Sequence, residues 1–274
     1  MYIVSRMLAS LEARLNQPIF NIWRTIYFNF RTMPFSTAIR MPVFIYGRVR
    51  LFELNGCVKF ENTEIKRGMV KIGVNGDSFT LFDHTGYVQL GSESSILIFE
   101  GPCRIALNVK IRVQSGTLRL GNCSRIGSDS KVICNGGRVS IGAFSGITFG
   151  CTIMNSSFHY TYDIVNKCYR NRSAVIEIGC RNWIGNQTTI LGKCRTKDDT
   201  TVGAGSLINR DYSQLYGAFP LLAGRPAKLI HLGIKRVFSP VVEAKVSELF
   251  NVSHADTLPY EQIQDCPEDI IAEM

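Results

Sequence analysis

Bulky aliphatic residues recur every six positions through the middle of the chain. The run Ile178, Ile184, Ile190, Thr196, Val202 and Ile208 is β-branched throughout. Gly179, Gly185 and Gly203 each follow a member of it. A small or short polar residue stands four places after each: Asn182, Thr188, Cys194, Thr200 and Ser206. The same frame appears upstream in Leu120, Ile126 and Val132 and in Ile141, Ile147 and Ile153, with Ser124, Ser130, Gly136, Ser145, Cys151 and Ser157 at the small position. A weaker version covers Leu90–Ile96 and Ile105–Ile111. A period of six is neither the 2 of a strand nor the 3.6 of a helix. It describes a short strand, a corner, and the same again, so that three strands return the chain above its start. The fold class predicted is an all-β solenoid, a parallel β-helix of stacked triangular coils with inward aliphatic columns. Glycine at the corners is expected to supply positive φ.

The frame breaks twice. A step of nine between Val132 and Ile141 predicts a corner insertion at Asn135-Gly136-Gly137. Residues 155–175 carry no hexad pattern and predict a loop thrust out from one corner; long loops in a regular scaffold tend to carry function. The flanks differ. Residues 1–40 predict helices. One places Ile3, Met7, Leu8, Leu11 and Leu15 on one face. A second starts after Asn16 and Pro18, has Trp23, Tyr27 and Phe30 on one face, and stops at Pro34. Residues 41–90 read as irregular strands leading into the coil. The domain reading is a helical segment at 1–40, the coil at 41–235, and a C-terminal helix (239–250) with an acidic tail within 236–274. The N-terminal helices are expected to cover the end coil; contact with a membrane surface through Trp23, Tyr27 and Phe30, beside Arg24 and Arg31, is the alternative.

Charge narrows the partners. The chain has 274 residues and a formal net charge of +9. Residues 241–274 hold eight acidic residues against Lys245 alone, so the positive charge lies in the body. A basic body suits a phosphorylated cofactor, an acidic glycan or a membrane surface. No nucleic-acid fingerprint is present. The nine cysteines are scattered and form no C-x-x-C pair, as expected of reduced thiols in a cytoplasmic protein. Cys151 and Cys194 fall at small inward positions. Four histidines in unrelated contexts offer no three-histidine zinc site, so no metal is expected.

Three blocks carry a family resemblance: Asn182-Trp183-Ile184-Gly185, Val202-Gly203-Ala204-Gly205-Ser206 and Ala223-Gly224-Arg225-Pro226-Ala227-Lys228. Over about residues 138–235 the chain resembles the hexapeptide-repeat acyltransferases, in particular the sugar O-acetyltransferases of polysaccharide loci. The segment TIYFNFRTMPFSTAIRMP is similar to the N-terminal region of those members. The resemblance implies a left-handed coil, a homotrimer, and acetyl-CoA in a groove between neighbouring chains.

It also implies site residues. His159, in the off-frame loop, matches the histidine that serves as general base, a role suited to an imidazole at neutral pH. The carboxylate that often stands two places earlier is Ser157 here, so a partner to fix the ring must come from elsewhere; Asp163 is the candidate. Asn186 and Ala204 match positions that contact CoA. Ser206, Asn209, Arg210, Arg225 and Lys228 complete the cofactor set, with the cations placed for phosphates. Trp183 is a packing residue of the groove. The reaction implied is acetyl transfer from acetyl-CoA to a hydroxyl of a sugar or polysaccharide precursor. N-acylation of an amino sugar nucleotide and a non-catalytic scaffold are the alternatives.

Overall fold

The computed structural model describes residues 17–76, 85–215, 217–237, 240–253 and 255–258. The chain divides into two units, Met1–Ile234 and Lys235–Met274. The predicted helix over residues 1–16 lies outside the described residues.

In the first unit, α1 (Ile22–Thr32) and α2 (Phe35–Ala38) precede the coils. The strands follow three to a coil: β1 (Val43–Ile45), β2 (Val49–Leu54) and β3 (Cys57–Phe60); β4 (Val70–Val74), β5 (Gly86–Leu90) and β6 (Ile96–Phe99); β7 (Cys103–Ala106), β8 (Lys110–Gln114) and β9 (Thr117–Leu120); β10 (Arg125–Ile126), β11 (Lys131–Asn135) and β12 (Arg138–Ile141). The next coil has β13 (Gly146–Ile147) and β14 (Thr152–Met154), an excursion bearing β15 (Thr161–Asp163) and β16 (Cys168–Arg170), then β17 (Val175–Ile178). Last come β18 (Trp183–Ile184), β19 (Thr189–Leu191), β20 (Cys194–Arg195), β21 (Thr201–Val202), β22 (Leu207–Ile208), β23 (Leu221–Gly224) and β24 (Ala227–His231). The second unit contains α3 (Pro240–Ser253), which matches the C-terminal helix expected from sequence. Among the described residues no helix is long and apolar enough to cross a membrane.

Three sheets form the faces of a prism. Face 1 runs β1-β4-β7-β10-β13-β18-β21-β23-β24, face 2 β2-β5-β8-β11-β14-β19-β22, and face 3 β3-β6-β9-β12-β17-β20. Pairing is parallel, except that β23 and β24 close face 1 as an antiparallel hairpin. The hexad residues lie on one another in register: Ile126, Ile147, Ile184 and Val202 on face 1, and Val132, Ile153, Ile190 and Ile208 on face 2. All are buried, as are Asn182, Thr188, Cys194, Thr200 and Ser206 at the small position. Each buried aliphatic contributes about 1.5–3 kcal/mol.

Four expectations change. The coil begins earlier than the hexad frame shows, because β1 and β2 already pair with β4 and β5; turns of unequal length hide the period there. Ile96 points outward and Leu97 takes the inward place, since the turn at 91–95 adds residues. Ser157 is exposed because the chain leaves the coil before reaching that place, while Asn155 is buried. The glycines after hexad residues do not supply positive φ. That conformation falls two places later, at Cys123, Asp129, Phe144, Gly150, Arg181, Gln187, Asp199 and Gly205. The glycines instead let the neighbouring coil approach: a Cβ on Gly142 would stand 2.5 Å from the Gly179 carbonyl carbon.

The end cap also differs. Helix α1 starts at Ile22 with Asn21 as its N-cap, whose side chain accepts from Arg24 N–H at 3.0 Å. The face turned to the coil is Thr25, Phe28, Asn29 and Thr32, whereas Trp23, Tyr27 and Phe30 face outward. Asn29 Nδ2 donates to Val43 O at 2.8 Å, and its Oδ1 accepts from Val43 N at 3.2 Å. Thr25 Oγ1 accepts from Ile45 N at 2.9 Å. The helix thus supplies β1 with the partners an edge strand lacks.

Candidate active site

The excursion between β14 and β17 leaves and re-enters at the corner joining faces 2 and 3. Asn155, fully buried, closes its base. Its Nδ2 donates to Gly136 O at 2.6 Å and Ala174 O at 2.9 Å, and its Oδ1 accepts from Asn135 N at 2.9 Å. Gly136 and Gly137 both have positive φ. A Cβ on Gly137 would meet Ala174 O at 2.6 Å, so the predicted corner insertion is what admits the returning strand.

Beyond the base, β15 and β16 pair as an antiparallel hairpin, Thr161 opposite Arg170 and Asp163 opposite Cys168. The hexad argument marked this segment only as off-frame. His159 lies just before β15 and is exposed. Its backbone carbonyl accepts from Ser157 Oγ at 2.8 Å. Its two neighbours are each held by an arginine. The Arg112 guanidinium lies 5.9 Å from the Phe158 ring centroid, and that of Arg172 5.0 Å from the Tyr160 ring. Arg172 also donates to Phe158 O at 3.3 Å. Phe158 has φ of 63°, which costs a non-glycine residue about 1–2 kcal/mol. The imidazole is left open to solvent between two anchored rings.

Asp163 is engaged away from that ring. Its carboxylate accepts from Val165 N at 3.1 Å, Asn166 N at 2.9 Å and Asn166 Nδ2 at 3.0 Å, and pairs with Arg170. The Arg170 guanidinium, then the Asn166 amides, hold it well below the usual carboxylate range. Its work in this structure is to tie the hairpin turn, and it does not hydrogen-bond His159.

The expected cofactor residues divide between corners: Asn209 and Arg210 follow β22 at the corner between faces 2 and 3, whereas Asn186 and Ala204 lie at the corner between faces 1 and 2. Asn186 and Ala204 occupy successive exposed corners, with Gly205 N donating to Asn186 O at 2.8 Å. Below them, Gln187 N donates to Phe149 O and Gly150 N to Ser128 O, both at 2.8 Å. Ser206 faces inward instead: its hydroxyl donates to Gly203 O at 2.6 Å and accepts from Gly224 N at 3.2 Å. Its role is to close the corner, as the small inward position requires. Arg210 donates to Ala227 O at 3.2 Å and to Tyr212 Oη at 3.2 Å. Arg225 and Lys228 are exposed on the β23–β24 hairpin, and Asn209 is exposed after β22. Trp183 stands on the outside of face 1, 37% exposed, in register between Gly146 and Thr201. Cys151 and Cys194 are buried as expected. Burial pushes Cys194 up to about 12, Cys103 up to about 12 and Cys134 up to about 11, so these thiols are inert fillers.

Sequence reasoning missed Asn155, Arg112 and Arg172. Asn155 was legible in part, since it lies two places after Ile153 as the buried Cys134 does after Val132. Nothing local marks the two arginines.

No family model and no curated protein matches the chain. Among solved structures, the polySia-specific acetyltransferase NeuO aligns over 78% of this chain and 99% of its own, with 16% identity and a TM-score of 0.50. The polysialic acid O-acetyltransferase OatWY aligns over 74% and 98%, with 18% identity and a TM-score of 0.39. AntD, an N-acyltransferase from Bacillus cereus, in complex with dTDP and 3-hydroxybutyryl-CoA, aligns over 77% and 88%, with 14% identity and a TM-score of 0.38. The chain folds as a left-handed parallel β-helix, the architecture of the hexapeptide-repeat acetyltransferases.

Proposed function

We propose that the protein transfers an acetyl group from acetyl-CoA to a hydroxyl of a sugar or polysaccharide precursor, with His159 as general base. The observation that carries this is the presentation of His159: a solvent-open imidazole between two arginine-anchored rings at the root of a hairpin. The imidazole takes the hydroxyl proton as that oxygen bonds to the thioester carbonyl carbon. The tetrahedral adduct then collapses, the carbon–sulfur bond breaks, and the imidazolium returns the proton to the departing CoA thiolate. Asn186, Ala204, Asn209, Arg210, Arg225 and Lys228 are the cofactor contacts of this reading, with Trp183 packing beside them.

A complete site needs more than one copy of the chain. His159 belongs to the corner between faces 2 and 3, and Asn186 and Ala204 to the corner between faces 1 and 2. The width of face 2, about 20 Å for six extended residues, separates them. On that face Ile133, Met154 and Leu191 form an apolar outward column. Face 3 instead pairs its arginines, Arg138 and Arg195 with Glu177 and Arg119 with Glu61 and Glu100. This contrast supports a homotrimer packed through the upper part of face 2, at Ile133, Met154 and Leu191.

The test is CoA release with acetyl-CoA and a panel of sugars, wild type against His159→Ala. The variant is expected to lose about 10²–10⁴-fold in turnover with an unchanged melting temperature. Undiminished turnover removes His159 from the role. Lability of the product in mild alkali identifies an ester and sets aside N-acylation. Light scattering is expected to give the mass of three chains.

A further inference from the structure

We propose that the lower half of face 2, across β2, β5, β8 and β11, is a groove for an anionic oligosaccharide that leads to the His159 loop. Its role as the acceptor path rests on the acyltransferase reading; its chemistry stands on the surface itself. Two outward columns lie side by side there. One is Arg50, Tyr87, Lys110 and Lys131, the other Phe52, Gln89 and Arg112. Lys110 and Lys131 are direct cross-strand partners, a like-charge pairing that is unfavourable by itself. Arg112 projects from the same side of β8 as Lys110, two residues on.

Among the described residues, no carboxylate pairs with Arg50, Lys110, Arg112 or Lys131. Arg112 Nε is buried without a hydrogen-bond partner. Nearby, Glu53 is taken up by the Gln89 amide at 2.6 Å. On face 3, by contrast, the outward arginines Arg119, Arg138 and Arg195 are neutralised by glutamates. Unpaired guanidinium and ammonium groups in a row fit carboxylates repeated along a chain.

At the far end of the groove is a cavity of about 740 Å³ between α1 and face 2, lined by Trp23, Tyr27, Arg50, Phe52, Tyr87 and Gln89. Aromatic rings beside a guanidinium and an amide suit a sugar ring, with its apolar face on the aromatics and its polar edge on the hydrogen-bonding groups. At the near end, Arg112 touches Phe158, the residue before His159. From β2 to β11 there are three interstrand steps, about 14 Å. That span favours an oligomer over a single sugar.

The test uses fluorescence polarisation with labelled oligogalacturonate, a neutral dextran oligomer of equal length, and galacturonic acid as competitor. Wild type is expected to bind the acidic oligomer at least tenfold more tightly than dextran, with affinity falling as salt rises, and galacturonic acid is expected to compete at least tenfold more weakly. Arg50→Gln/Lys110→Gln and Trp23→Ala, each checked for an unchanged melt, are expected to weaken oligomer binding tenfold or more. Equal affinity for both oligomers, or variants that bind like wild type, would overturn the proposal. So would retention on phosphatidylglycerol vesicles without oligomer binding, which would make this a membrane surface. Oligomer binding with no acetyl transfer to any acceptor would sink the acyltransferase reading and leave the groove. Transfer to a neutral sugar without oligomer binding would do the reverse.

Discussion

Asn155 and Ala174 are joined three ways in a short space: through the Asn155 backbone carbonyl to Ala174 N at 2.9 Å, through the Asn155 amide to Ala174 O at 2.9 Å, and through the shared contact with Gly136 and Gly137. Nineteen residues of sequence separate them, yet they behave as consecutive parts of one coil. Asn155→Ala would remove the side-chain partner of Asn135 N, Gly136 O and Ala174 O in a half-buried setting. The expected cost is about 3 kcal/mol, a fall of about 6–12 °C in melting temperature. Differential scanning calorimetry checks it; a change under about 2 °C would mean the base is held by something other than this amide.

Asn29 gives a test in which polarity outranks hydrophobicity. Replacing it with leucine adds apolar surface but removes both bonds to Val43. Destabilisation of about 2–3 kcal/mol is expected. A more stable Asn29→Leu variant, measured by urea unfolding, would contradict the edge-partner role of α1.

Glycines in this fold divide by cause. Gly142→Ala would force a Cβ against the backbone of the next coil, 2.6 Å from Cys180 N, and is expected to prevent stable folding. Gly192 has φ of 69° and nothing within 4 Å of its would-be Cβ, so Gly192→Ala should cost only about 1–2 kcal/mol. Comparable yields and melting temperatures for the two variants would refute the distinction.

The buried thiols predict an alkaline limit. Folding raises Cys103, Cys134 and Cys194 from an ordinary value of 9.0 to about 11 or 12. The unfolded thiols then ionise first. Stability from this source is therefore complete below about pH 9 and is lost as pH climbs toward 11 and 12, at about 1.4 kcal/mol per pH unit for each thiol. A Cys103→Ala/Cys134→Ala/Cys194→Ala variant should show a shallower decline of melting temperature between about pH 9 and 11. Parallel curves would assign the decline to other groups.

The coil from Leu120 to Ile208 was legible because one physical demand, an aliphatic inward at each strand, repeats at a fixed spacing. Where turns vary in length, as before Ile105, the same demand is met without a visible period. Helix α1 misled for a related reason. Its partner is a bare strand edge that needs donors and acceptors, so Thr25 and Asn29 turn inward while Trp23 and Tyr27 remain outside. At the candidate site, His159 is singled out by its off-frame loop together with the family resemblance. The contacts of Asp163 were not legible, because proximity in sequence does not tell a turn-capping carboxylate from one that reaches a neighbouring ring. Arg112 is brought to Phe158 by stacking, which no local pattern encodes.

The hairpin interrupts the coil without disturbing it: Ile141 still lies directly across from Ile178, and Val139 from Ile176. Mutation, lengthening or replacement within 157–172 therefore need not be felt by the aliphatic stack, whose register is set on either side of the insertion. One segment is thus free to change in length and sequence, while the stacked coils on either side keep the platform from which it projects.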